Sequence, residues 1–379
     1  MSRIKVCILS SVHNALDNRV FYREARSLQR AGYDVTLIAA HDQDEVREGI
    51  QILALPPVVR WQRPLLWRTV IQKAIATHAE IFHFHDPELL LVTPWLRWRT
   101  GKPTIYDVHE ANAEFIKVKD YMPVWLRYPI AWAFRWLEPL LARFQNALVF
   151  ADDQIAASFE GIRRPKTILL NFPAREFIED AAAATEAIEQ RQPLILYLGG
   201  LERNRGSRLM IEAFHQVWQA MPKARLLLVG HFVPPDLEQE VEADAVRRGI
   251  EQAITITGRV PFERIGDHLK QAAVGWVTWQ PVAKNQKNIP TKLFEYMAYG
   301  LPVVCSDLPS TRPFVREGEN GHLVTADDPA DHARALLQLL RHPQVAVTMG
   351  RRGQEMVRSS YNWDEMEKRL LALYQEVLS

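Results

Sequence analysis

The chain has only two cysteines in 379 residues, Cys7 and Cys305, and both fall in stretches that read as buried strands. That excludes a disulfide framework and suits free thiols in a reducing compartment. No apolar run reaches the length of a membrane span, and the opening MSRIKVCILSS has too short an apolar run for a secretory leader. A cytoplasmic protein is expected. An excess of one charge is missing too. Lys and Arg number 46 against 45 Asp and Glu, a formal net charge of +1, so nothing points to nucleic acid. There is no G-x-G-x-x-G, hence no nicotinamide-dinucleotide fingerprint. Low-complexity tails are absent, and so are repeats beyond two similar halves.

What the chain does have is 47% apolar residues, enough for two cores, at a length that suits two domains. Period and punctuation predict strands at residues 4–9, 34–40, 50–55, 81–85, 104–108, 147–150 and 166–170. They predict a second series at 194–198, 226–229, 254–257, 274–278, 303–305 and 322–325. Helical stretches alternate with them, at 20–31, 65–79, 152–160, 208–219, 262–272 and 310–317, and three helices close the chain at 329–340, 345–358 and 363–378. Strand–helix alternation means doubly wound parallel sheets. Residues 179–192, EDAAAATEAIEQRQ, are acidic and alanine-rich with no apolar face, and Pro193 ends them. The expected division is residues 1–178, a linker at 179–192, and residues 193–379.

The most informative stretch is NIPTKLFEYMAYGLPVVCSD, residues 288–307. Pro290 suits a first helical turn, where no N–H is needed. Leu293, Phe294, Met297, Ala298 and Leu301 fall on one helical face, and Lys292, Glu295, Tyr296 and Tyr299 on the other. Gly300 stops the helix and a buried strand follows. A helix start with a lysine in its first turns suits a diphosphate. A carboxylate one turn further in, Glu295, can accept both hydroxyls of a ribose.

Two other places stand out. His83 and His85 share one face of a strand, with Asp86 after them at the end where ligands bind open parallel sheets. An acceptor pocket and a plain strand terminus both fit; zinc lacks a third and fourth ligand at sensible spacing. Residues 121–144, YMPVWLRYPIAWAFRWLEPLLARF, put Trp125, Tyr128, Trp132 and Trp136 on one helical stripe, with Arg127, Arg135 and Arg143 against a single acid, Glu138. Together with Trp61, Trp67, Trp95 and Trp98 this reads either as a headgroup-level membrane surface or as core. Pro129 and Pro139 argue for a broken hairpin.

The stretch PTKLFEYMAYGLPVV resembles the nucleotide-sugar-binding helix of glycosyltransferase family 4. The likeness extends along the chain. Asp17, Arg19, Arg23, Glu24 and Gly32 fill the family's opening D-x-R, R-E-A and G-x-x-V places, and Gly199-Gly200-Leu201-Glu202-Arg203-Asn204-Arg205-Gly206 is similar to its G-R-L-x-x-x-K-G diphosphate loop. Gly258-Arg259-Val260 resembles its base-binding segment, and residues 318–324 its G-x-N-G-x-L-V. The resemblance implies the GT-B fold: two Rossmann-like domains facing a cleft, the last helix packing back toward the first domain. It implies transfer of a sugar, with retention, from a UDP- or GDP-sugar to a saccharide or lipid-linked acceptor. Arg205 and Lys292 would hold the diphosphate, Gly199 and Gly200 would let backbone approach it, Arg259 would meet the base and Glu295 the ribose. His109, ending the strand 104–108, would touch the transferred sugar. Neither a cofactor nor a metal is implied, and Asp42-Gln43-Asp44, a D-x-D, reads as a solvated loop. Two departures stand: Gly200 replaces an arginine, and Lys287 replaces the first glutamate of a pair. They keep open a non-catalytic nucleotide-sugar-binding subunit; the other alternative, a GT-B epimerase that works on the donor alone, needs carboxylates facing the sugar, which Lys287 does not supply.

Overall fold

Strands buried on both faces need unbroken apolar runs, and several sheet strands have them: ALVF at Ala147–Phe150 and VGWV at Val274–Val277 are buried at every position. The computed structural model describes residues 3–117, 122–184 and 191–379. They form two units, Met1–Asn171 with Trp363–Ser379, and Phe172–Asn362.

In the first unit the strands are β1 (Lys5–Asn14), β2 (Asp34–Ala40), β3 (Glu45–Arg47), β4 (Ile50–Leu55), β5 (Ile81–Phe84), β6 (Thr104–Val108), β7 (Ala147–Phe150) and β8 (Lys166–Ile168). They make one sheet in the order β3-β4-β2-β1-β5-β6-β7-β8, parallel except for β3 against β4. The second unit holds β9 (Leu194–Leu198), β10 (Leu201–Glu202), β11 (Arg225–Val229), β12 (Phe232–Val233), β13 (Ile254–Ile256), β14 (Val274–Val277), β15 (Val303–Ser306) and β16 (Gly321–Val324). Its six-stranded parallel sheet runs β13-β11-β9-β14-β15-β16, and β10 pairs with β12. In both sheets the winding reverses beside the first strand, between β1 and β5 and between β9 and β14. Ligands bind open α/β sheets at such a switch point. Cys7 and Cys305 lie apart in β1 and β15 as buried free thiols, each pushed up to about 12 by burial.

Several expected elements differ. The second unit begins at Phe172, earlier than the expected linker, because the helix Arg175–Ala184 packs on it: Tyr299 donates to Asp180, and Lys270 pairs with Asp180 at 3.0 Å. Residues 185–190 of the expected linker lie outside the described residues. The last helix, Trp363–Leu378, belongs to the first unit, where Trp363 Nε1 donates to Ser27 Oγ at 2.8 Å and Arg30 pairs with Glu367 at 2.6 Å. The stretch 310–317 is a run of turns, not a helix; Thr311 Oγ1 takes the Leu308 N–H at 3.1 Å and donates to the Ser306 carbonyl at 2.8 Å. The helix expected at 20–31 opens as a π-helical turn, Val20–Ala25, before continuing as Arg26–Arg30.

The largest correction concerns the aromatic stretch. It is one helix, Val124–Ala142, through both prolines. It packs by Ala131, Glu138 and Ala142, and leaves Trp125, Tyr128, Trp132 and Trp136 in water at 73%, 61%, 69% and 64% exposure. These rings are therefore not core. Tyr121, which the sequence reading included, lies outside the described residues. The one acid of the helix faces inward: the Tyr106 hydroxyl and Asn112 Nδ2 donate to Glu138 Oε1 at 2.7 and 2.8 Å.

Burial pushes the Glu138 carboxyl up to about 7 from an ordinary 4.5, against the pull of those two donors. The folded state thus holds this proton more tightly than the unfolded chain does. The stabilisation is fully present below pH 4.5 and is lost as pH rises to about 7. The loss is on the order of 3 kcal/mol. Glu138→Gln removes that dependence. Urea unfolding at pH 4.5 and pH 8 should show the variant gaining on the wild type at the higher pH; a difference that stays flat overturns the buried-acid account.

Candidate functional site

In the second unit, the loops after β9 and β14 meet the helix Lys292–Ala298. That helix starts two residues after Pro290 and is buried at all seven positions, so the polar face read from the sequence does not reach solvent. Tyr296 uses its hydroxyl inside, accepting from the Leu198 N–H at 2.8 Å and donating to the Trp276 carbonyl at 3.3 Å. Lys292 Nζ stands 3.6 Å above the Tyr197 ring and is buried with no hydrogen-bond partner. Burial, then the Arg205 charge, holds its pKa well below the usual lysine range, and Glu295 pulls the other way. A buried amine in that state is poised to gain its charge beside an anion.

Gly199 has φ +103°, and a Cβ there would lie 3.3 Å from Lys292 Nζ and 3.8 Å from Arg205 Nη1. A Cβ on Gly230 would lie 2.0 Å from the Gly199 carbonyl oxygen. Both positions need glycine to keep this backbone against the cations. Arg205 pairs with Glu202 at 3.0 Å and lies 5.8 Å from the Trp279 ring; Gly200 sits beside both Arg205 and Glu202. Asn204 Oδ1, Ser207 Oγ, Trp279 Nε1 and Asn288 Oδ1 are also buried without partners on these loops. Ser207 does not cap its helix; Gly206 holds the cap position. The structure thus brings Gly199, Gly200, Arg205 and Lys292 together, with Glu295 one turn along the same helix. Arg259 is exposed on the loop after β13, at the edge of the sheet.

In the first unit the end of β6 carries Asp107 and His109. His109 Nε2 lies 2.8 Å from His85 Nδ1 and 3.6 Å from Asp107 Oδ2, and its ring packs 4.9 Å from the His13 ring. Arg19 grips Asp107 through Nε at 3.0 Å and Nη2 at 2.9 Å, and anchors Nη1 on the Leu169 carbonyl and Asn171 Oδ1 at 2.6 and 2.8 Å. The π-helical turn aligns Arg19 with Glu24, five residues on, at 2.9 Å. The Arg19 guanidinium, then His109, hold Asp107 well below the usual carboxylate range despite burial, whereas burial and the Asp107 charge push Glu24 up. His13 is raised by Asp17 and Asp86 against burial.

Asp86 does not join the histidine pair. It accepts from Ser10 Oγ, the Ser11 N–H and the Val12 N–H at 2.9, 2.6 and 3.2 Å, and so fixes the end of β1, where its register with β2 shifts between Leu9 and Asn14. The acids beside His83 and His85 are Glu24 and Asp107. Sequence reading missed that grouping, as well as His13 and Tyr197. The usable signal was the repeated spacing of two at strand ends, H-x-H and D-x-H. Asp44 of the D-x-D accepts from the Ala54 N–H at 2.7 Å in a loop.

Comparison with known proteins settles the family. Residues 18–170 match the model of the "glycosyl transferase 4-like domain" and residues 192–342 that of "glycosyl transferases group 1". The phosphatidyl-myo-inositol mannosyltransferase of Mycobacterium leprae is 31% identical over 300 residues, 79% of this chain and 74% of that one. The chain belongs to glycosyltransferase family 4. Against the corresponding enzymes of other mycobacteria the match covers 50% of the relative's length. The fold is GT-B. Sucrose-phosphate synthase from Thermosynechococcus elongatus superposes with a TM-score of 0.76 at 18% identity, covering 99% of both chains. Anabaena HepE, solved in complex with UDP-glucose, gives 0.73 at 15% identity, over 99% of this chain and 100% of that one.

For this glycosyltransferase, the buried, partnerless Lys292 yields a pH prediction. A bound diphosphate favours the charged ammonium, so nucleoside diphosphate binding should take up a proton, and affinity should fall as pH rises. Calorimetry with UDP and GDP in buffers of different ionisation enthalpy measures the uptake. Lys292→Met should weaken binding by about 1–3 kcal/mol and abolish the uptake. A folded variant with unchanged affinity removes Lys292 from the site.

Proposed function

We propose that this glycosyltransferase moves a hexosyl group, with retention at the anomeric carbon, from a UDP- or GDP-sugar to a lipid-linked saccharide at a membrane surface. On the donor side, Arg205 and Lys292 hold the diphosphate and strengthen their contacts as the nucleoside diphosphate departs. Gly199 and Gly200 let backbone approach it, Glu295 accepts the ribose hydroxyls and Arg259 meets the base. In the first unit His109 contacts the transferred sugar. The names of the relatives support sugar transfer from nucleotide donors: the M. leprae protein is a mannosyltransferase, and HepE was crystallised with UDP-glucose. Two cations make a divalent ion unnecessary for leaving-group departure. Turnover should accordingly be unchanged within about twofold when Mg²⁺ or Mn²⁺ is added to a buffer lacking both. Tenfold stimulation, roughly 1.4 kcal/mol in the barrier, overturns the metal-free departure.

The acceptor reading rests on one observation, the outward aromatic face of the helix Val124–Ala142. Arg97 Nη1 ties the helix Thr93–Thr100 to the Phe144 carbonyl at 2.6 Å, and that neighbour exposes Trp95 and Trp98. Trp61, Leu65, Leu137, Leu140 and Phe144 are exposed as well, with Arg135 and Arg143 among them. Indole rings with arginines settle at the headgroup boundary, where a ring is half dry and a cation meets anionic lipid. Each ring so placed contributes on the order of 1–2 kcal/mol of apolar burial. No helix among the described residues is long and apolar enough to cross a membrane, so contact would be by lying on the surface. Sedimentation with liposomes checks this: the wild type should pellet with anionic vesicles at low salt, less at high salt, and Trp125→Ser with Trp132→Ser should stay in the supernatant. A wild type that remains soluble with anionic vesicles at low salt sinks the membrane acceptor while leaving the donor chemistry standing.

A further inference from the structure

Some buried polar atoms of the first unit lack partners, and they collect in one place. Glu24 Oε2, His83 Nε2 and His85 Nε2 are inaccessible and have no hydrogen-bond partner, while Glu24 Oε1 lies against Arg19 Nε at 2.9 Å. The four side chains Glu24, His83, His85 and Asp107 are buried, and one ligand atom from each lies within 4.8 Å of all the others. Native interiors rarely tolerate such a concentration of unmet groups without a water or an ion.

The spacing identifies what is missing. His85 Nε2 faces Glu24 Oε2 at 3.7 Å, and His83 Nδ1 lies 3.8 Å from the same oxygen. These gaps are too long for hydrogen bonds. They are close to the roughly 3.3–3.5 Å that separates two ligands sharing a tetrahedral zinc ion at bond lengths of about 2.0–2.1 Å. His83 Nδ1, the nitrogen nearest Glu24, also lies 2.9 Å from Tyr374 Oη, which leaves His83 Nε2 as its unpartnered atom. The outer nitrogen of His85 is already oriented, with His109 Nε2 2.8 Å from His85 Nδ1. Metal-bound imidazoles use the second nitrogen in this way. Glu24 and Asp107 bring two negative charges and Arg19 one positive, so with neutral histidines the cluster lacks positive charge, which either an ion or a proton on Glu24 supplies.

We propose that Glu24, His83 and His85, with Asp107 shared between the ion and Arg19, form a closed structural site for a divalent transition ion of the zinc type. Two imidazoles with two carboxylates suit zinc better than magnesium or calcium, which prefer all-oxygen shells. The ion would join the π-helical turn to β5 and β6. With the ion on His85 Nε2, His85 Nδ1–H donates to His109 Nε2, and His109 is left with its proton on Nδ1. The site thereby positions His109 without touching substrate.

The competing account is a proton on Glu24 in place of the ion. Tag-free full-length protein, expressed with added zinc and dialysed exhaustively, should carry about one equivalent of zinc by elemental analysis. Zinc-stripped protein should show a rise in melting temperature when zinc alone is added back. Glu24→Gln separates the accounts, because a glutamine imitates a protonated glutamate but is a poor ligand. Under the proposal it loses at least tenfold in zinc content and no longer responds to added zinc, while an unchanged far-ultraviolet circular dichroism spectrum and a cooperative melt report that the first unit is folded. His85→Gln should behave alike. Zinc below a tenth of an equivalent in the wild type, or a Glu24→Gln protein with full zinc content, overturns the site.

Discussion

Each sheet is governed by one constraint of parallel strands: the chain must cross over a face to return, and when the order of winding reverses, two neighbouring strands send their loops apart. In the first unit this happens between β1 and β5, and in the second between β9 and β14. Only there can side chains approach the sheet's C-terminal edge from both directions. The serines near the end of β1 held by Asp86, and the histidines beside them, occupy the first such gap. The glycine loop, Arg205 and Lys292 occupy the second. The positions follow from topology; the chemistry follows from which residues fill them.

The two gaps treat a buried cation in opposite ways. Arg19 is saturated, with Asp107, Glu24, a carbonyl and an asparagine spread around its planar fork. A guanidinium supplied with that many acceptors is a fixed part of the framework, and removing any one acceptor leaves a charge inside the protein. Lys292 has an aromatic face and nothing else within hydrogen-bond reach. The same physics that makes Arg19 inert makes Lys292 costly to leave alone.

How much of this was legible depended on distance along the chain. Strands at 34–40, 50–55, 104–108, 147–150 and 194–198 were readable to the residue because they are short, mostly apolar and β-branched or aromatic runs, too short for a helix of the same burial. Gly199, Gly200 and Arg205 sit in one loop, and Lys292 and Glu295 in one helix, so a short motif exposed each group. The cluster around His85 draws on residues 19, 24, 83, 107, 109 and 374, which only folding brings together. The π-helical turn that aligns Arg19 with Glu24 breaks the period on which helix reading relies. Apolar patterning also cannot say which side of a helix faces inward. In Val124–Ala142 two alanines and a glutamate pack while the large rings do not, because Tyr106 and Asn112 supply the carboxyl's partners.

Six of the eleven tryptophans, Trp61, Trp95, Trp98, Trp125, Trp132 and Trp136, are exposed, whereas Trp276 and Trp363 are fully enclosed. Indole emission shifts to the red in water. The native protein should therefore fluoresce much as an unfolded one does, its spectrum dominated by rings that denaturation hardly changes. Collisional quenchers would act on the folded state, and a blue shift would report occlusion of the exposed rings instead of refolding. Optical stability measurements on this protein belong to the backbone signal, and its intrinsic fluorescence is a reporter of what settles on one face.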